Sequence, residues 1–153
     1  MKSKSPAENS VRVCVLYCGA AWLCPLDRQA VHSVLQVMLA QAVASNVPNP
    51  PVTIELLLVD DANISKANRQ YMHCTGPTNV LSFPYGEHCV GTLLLSLDTF
   101  RRECLLYGQD SCEHILRLLA HGIGHLCGLD HGPEMDTLCS QLLQAAKKSL
   151  PLS

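Results

Sequence analysis

Three histidines, His121, His125 and His131, stand at i, i+4 and i+10 within the segment AHGIGHLCGLDHG of this 153-residue chain. Four residues advance an α-helix by about 400°, so His121 and His125 share a face about 6 Å apart along the axis. Two imidazoles so placed reach one ion at about 2.0–2.1 Å each. Gly128 then closes the helix and turns the chain, and His131 arrives from the loop as a third ligand. Three protein ligands leave a fourth tetrahedral position for water, the open arrangement of a catalytic zinc site. Asp130 adjoins the third histidine as a hydrogen-bond partner for the ligand set.

The spacing is that of the long zinc-protease signature H-E-x-x-H-x-x-G-x-x-H, except that Gly122 occupies the place of the catalytic Glu. A peptidase needs that Glu to take a proton from water and pass it to the leaving amine. Phosphodiester cleavage starts instead from a zinc-activated water, whose pKa falls to about 7. Its developing charge asks for cations more than for a carboxylate. The substitution argues against peptides and is compatible with RNA. Gly122 and Gly124 each cost about 0.5–1 kcal/mol relative to Ala inside a helix. Two readings stand: close helix–sheet packing, or space cleared for a bulky substrate beside the metal.

These residues need a scaffold. Val11 to Tyr17 is a buried strand by its β-branched, apolar run. Residues 27–45 place Ala30, Val31, Val34, Leu35, Met38, Leu39 and Ala42 on one helical stripe, with Asp27 as N-cap. A second strand runs over 52–60, and Asp60 or Asp61 caps a short helix through Tyr71. NVLSFP and VGTLLLS form two strands joined by a tight turn. Helices follow over 98–107, 113–127 and 134–148. The alternation predicts an α+β fold: a small mixed sheet packed with helices, one domain over 11–150, and the three-histidine site at a helix end. Residues 1–10 read as a flexible tail.

At 48% hydrophobic the chain carries one core. A net charge of −2 announces no basic field for nucleic acid, so RNA affinity must rest on a local site. Nine cysteines, an odd number with no C-x-x-C pair, read as reduced thiols largely in apolar runs. The N-terminal apolar run is too short to span a bilayer, and a soluble cytosolic protein is expected. His32, His73, His88 and His114 lack the context of the triplet and read as structural or exposed.

With HGIGHLCGLDH and GPTNVLSFP both in view, the sequence resembles the YbeY family of metal-dependent endoribonucleases. Residues 121–131 follow the family motif except at Gly124 and Leu129, and Pro77 to Pro84 follow it fully. The resemblance covers roughly 50–148. It implies one zinc ion held by His121, His125 and His131. It also implies hydrolysis of single-stranded RNA in 3′-end maturation of small-subunit ribosomal RNA and ribosome quality control, with ribosome-associated proteins as partners. The chain departs from the family at Met72, where an Arg is frequent, and at Thr92, where an Asp is usual. Arg69, one helical turn before Met72, is the expected replacement cation, ahead of Lys66, Arg101 and Arg102. Asn79 is expected at the cleft, offering a polar group to the phosphate backbone. Arg69, Asn79 and Asp130 are thus the expected catalytic residues outside the ligand set. The competing readings are a zinc-stabilised ribosome-assembly factor without catalysis and a metallopeptidase-like hydrolase.

Overall fold

In a computed structural model, residues 10–15, 23–84 and 89–151 are described. The elements run β1 (Ser10–Val15), α1 (Arg28–Ala44), β2 (Thr53–Val59), α2 (Asp61–Met72), β3 (Val80–Phe83), β4 (Val90–Ser96), α3 (Leu97–Tyr107), α4 (Ser111–Leu126) and α5 (Pro133–Ser149). The sheet order is β1-β2-β4-β3, with β1–β2 and β2–β4 parallel and β3 antiparallel on β4. The mixed sheet and five helices form the α+β fold expected. Ser10, expected in the tail, is the first residue of β1, and Leu16 and Tyr17 lie outside the described residues.

The strands carry apolar residues on both faces, so helices cover both. Ile54, Leu56 and Leu58 of β2 and Leu93 and Leu95 of β4 point into a core shared with α1, α4 and α5. Val59 joins Leu81 of β3 and Ile64 and Ala67 of α2 in a smaller cluster, against which Leu57 and Leu94 pack. The period of two along each strand assigns successive residues to opposite faces. Helix starts follow local chemistry. Asp27 accepts the Ala30 amide at 2.8 Å, Asp60 that of Asn63 at 2.9 Å, and Asp110 that of Glu113 at 2.9 Å.

Two glycines let α4 ride close to the sheet. A Cβ on Gly122 would stand 2.8 Å from Leu93 Cδ2 and 3.4 Å from Val80 Cγ2. A Cβ on Gly91 of β4 would stand 2.9 Å from Leu126 Cδ1. Gly124 faces α5 instead, where a Cβ would meet Met135 Cε at 2.6 Å. Both helical glycines therefore serve packing. The alternative, space for substrate, is not what their missing side chains provide.

Candidate metal centre

The end of α4 explains how the histidines meet. Gly128 adopts φ +84°. Its amide donates to His125 O at 3.0 Å, and the Leu129 amide to Gly124 O at 3.2 Å. This paired closure reverses the chain and satisfies carbonyls the helix leaves open. His131 is thereby brought back over the face that carries His121 and His125. The ligand atoms offered by the three rings all lie within 4.8 Å of one another. Ring centroids are 4.6, 5.2 and 5.1 Å apart for 121–125, 121–131 and 125–131.

The hydrogen bonds define which nitrogen faces inward. His125 Nδ1 lies 3.1 Å from the Leu129 carbonyl oxygen. That oxygen only accepts, so Nδ1 carries the proton and Nε2 keeps its lone pair. Nε2 of His125 faces Nε2 of His121 at 3.1 Å. Tetrahedral zinc with bonds of about 2.05 Å sets neighbouring ligand atoms about 3.3 Å apart, so the pair already has coordination spacing. Burial, reinforced by His125 and His131, holds the His121 pKa below its usual value and favours the neutral, metal-binding form. The residues fit a divalent ion with nitrogen ligands.

Around them a cavity of about 680 Å³ opens between the end of α4, the strand β3 and the end of α2. His121 and His125 form one side with Leu129 and Asp130, and Thr78, Asn79 and Ser82 the other. The polar residues before β3 are thus brought to the histidines. Asn79 Oδ1 accepts the Val80 amide at 2.7 Å, and Asn79 Nδ2 donates to Glu103 Oε2 at 3.3 Å. Ser82 Oγ donates to the Gly122 carbonyl at 3.1 Å, tying β3 to the histidine helix.

Other expectations fall differently. Asp130 is exposed on the cavity wall, but the partner that holds His125 is the Leu129 carbonyl. Arg69 is exposed in the last turn of α2, and the α2 side chain among the described lining residues is Met72. Arg102 is engaged elsewhere, donating to Asp61 Oδ2 at 2.6 Å. Cys127 is buried in the core, apart from the three-histidine group, and burial pushes its thiol to about 11. Sequence reading missed Leu129, though its carbonyl sits four residues after His125 at the turn Gly128 announces. The reading of His114 as structural or exposed fits its packing. The ring stacks on Phe100 at 5.7 Å and stands seven residues before His121 on the same helical stripe. A larger cavity of about 750 Å³ lies between the end of α1 and the start of α5, away from β3 and without a cluster of titratable groups.

Comparison with known proteins places this architecture. A family model described as Endoribonuclease YbeY matches residues 22–148. The chain is 39% identical to a protein of that name from Nitratidesulfovibrio vulgaris, covering 84% of this chain and 90% of the relative. Another, from Lawsonia intracellularis, is 44% identical over 80% of this chain and 87% of the relative. In fold it is similar to the solution structure of TM1509 from Thermotoga maritima. The TM-score is 0.61 at 18% identity, over 90% of this chain and 89% of the other.

Proposed function

The chain belongs to the YbeY endoribonuclease family, and on that premise we propose that it is a zinc-dependent endoribonuclease cutting single-stranded RNA. Its proposed substrate is the 3′ end of small-subunit ribosomal RNA, in maturation and ribosome quality control, with ribosome-associated proteins as partners. The observation that carries this reading is the set of three converging imidazoles, two of which line a cleft that Thr78, Asn79 and Ser82 face from the other side. Zinc bound there supplies a Lewis acid for a phosphoryl oxygen and lowers the pKa of the attacking water.

The chain's own groups do the rest. Leu129 fixes the His125 tautomer, so Nε2 points into the site without reorganisation. Asn79 spends one amide hydrogen on Glu103 and keeps a second for a phosphate oxygen. We assign Asp130, exposed on the histidines' side of the cleft, to accept at its carboxylate oxygen the proton released by the attacking water and to return it to the departing ribose oxygen as the P–O bond breaks. Arg69, in the last turn of α2 but off the described cavity lining, contributes its positive charge at a distance rather than by contact. Position 122 faces Leu93, so a Glu there would press into the sheet rather than reach the cleft, which disfavours a peptidase. A ribosomal substrate and the seven free thiols among the described residues support a cytoplasmic location. No helix among the described residues is long and apolar enough to cross a membrane.

The test is cleavage of a single-stranded RNA oligonucleotide, its duplex, and a peptide by the same zinc-loaded sample. Cutting of the single strand alone, lost in His125→Ala, is expected. RNA binding that persists without any cutting would instead favour the assembly-factor reading, for which Met72 in place of a cation at the wall is the supporting observation.

A further inference from the structure

Toward the N-terminus of α4 a second cavity, of about 380 Å³, adjoins the metal cleft. Asn79 and His121 line both cavities, so the two lie side by side against the histidine helix. Tyr107 and Gln109 stand at its outer lip, and His114 and Arg117 run along α4. The wall is held from behind. His114 stacks on Phe100, its Nε2 faces Glu103 Oε1 at 3.6 Å, and Glu103 Oε2 accepts from Asn79. The lip, by contrast, is open. Tyr107 is the last residue of α3, 67% exposed, before Gly108 turns the chain at φ +60°. The ring is thus open to solvent at the edge of the cavity, where a base can reach its face. Cationic charge lies alongside. Arg117 and Lys147 share Glu113 Oε1 at 2.9 and 3.1 Å, two cations on one carboxylate.

Single-stranded RNA is the ligand that combines these needs: a flat base to stack, an edge that donates and accepts, and a phosphate. The volume suits one nucleotide, at the small end of ligand cavities of about 300–1,000 Å³. We propose that this cavity is a nucleotide subsite beside the cleaved bond. The base of the adjoining nucleotide stacks on Tyr107, Gln109 hydrogen-bonds its edge, and Arg117 meets its phosphate. The inference rests on the endoribonuclease reading and adds to it where the strand runs: along α4, from His121 toward His114.

The experiment measures fluorescence anisotropy of a labelled single-stranded RNA octamer with metal-free protein, then cleavage of the same RNA by zinc-loaded protein. Tyr107→Ala should weaken binding by about tenfold, within the range for loss of one base–aromatic stack. Tyr107→Phe should bind as the wild type does. Leu105→Ala, exposed on the same helix but outside the cavity lining, should change nothing. In cleavage, Tyr107→Ala should raise KM with kcat nearly unchanged. Wild-type binding retained by Tyr107→Ala, or an equal loss in Leu105→Ala, would overturn the subsite while leaving the nuclease in place. A wild-type protein that neither binds nor cuts RNA would overturn the endoribonuclease reading and the subsite with it. Because Tyr107 is exposed, an unchanged thermal unfolding midpoint verifies that its variants fold.

Discussion

At the scale of single residues, Gly122 answers why a zinc-hydrolase signature lacks its Glu. The position packs on Leu93 and Val80, so the residue is chosen by contact distance. Gly122→Ala gains about 1 kcal/mol of helix propensity but overpacks the sheet at a cost of about 1–3 kcal/mol. Net destabilisation in urea melts is expected, and Gly122→Glu should be worse and show no peptide hydrolysis. His121 gives a pH prediction. Burial first, then His125 and His131, hold its folded pKa below that of the unfolded chain, about 6.5. The unfolded state therefore binds the proton more readily, and metal-free protein loses stability as pH falls through and below about 6.5. Urea midpoints at pH 8 and pH 5 should differ less in His121→Gln than in the wild type; equal differences would count against the assignment. Cys127, raised to about 11, should resist iodoacetamide at pH 8 until denaturant is added. The exposed Cys74, Cys89 and Cys112 should react without it.

At the scale of elements, what matters is how α2, β3 and α4 are held around one cleft. α2 is fastened by Asp61, whose carboxylate accepts from Ser96 Oγ at 2.8 Å, Thr99 Oγ1 at 2.7 Å and Arg102. Burial raises the Asp61 pKa, but these hydrogen bonds outweigh it and hold the group below its usual value. A depressed carboxyl contributes stability above the unfolded pKa of about 3.9 and loses it as pH falls through the folded value. Asp61→Asn should cost about 1 kcal/mol at neutral pH, with much of that difference gone in acid. Helix boundaries were legible because their signals are local: Asp27, Asp60 and Gly128 act within three or four residues of themselves. The approach of α4 to the sheet was not, since it depends on Gly91 meeting Leu126 and Gly122 meeting Leu93, pairs far apart in the chain. For the same reason the histidine triplet could be read from spacing, whereas the Asn79–Glu103 bond, 24 residues apart, could not. Arg69 illustrates the gap: helical periodicity put it beside Met72, but only packing shows which of the two faces the cleft.

At the scale of the whole molecule, a chain of net charge −2 must attract a polyanion locally. RNA affinity should fall with salt, with a slope of log K against log[salt] of about −2 if three phosphates are contacted. A slope near zero would mean that the cleft does not track the backbone. The nuclease proposal hangs on a single ion at His121, His125 and His131. It is tested most directly by adding zinc stepwise to metal-free protein and following cleavage of single-stranded RNA. Cleavage should be absent at the start, rise linearly, and reach a plateau at one zinc per chain. The His121→Ala/His125→Ala double variant should give a flat line at every addition. Cleavage by metal-free protein, or a double variant that zinc restores to wild-type activity, would contradict the proposal.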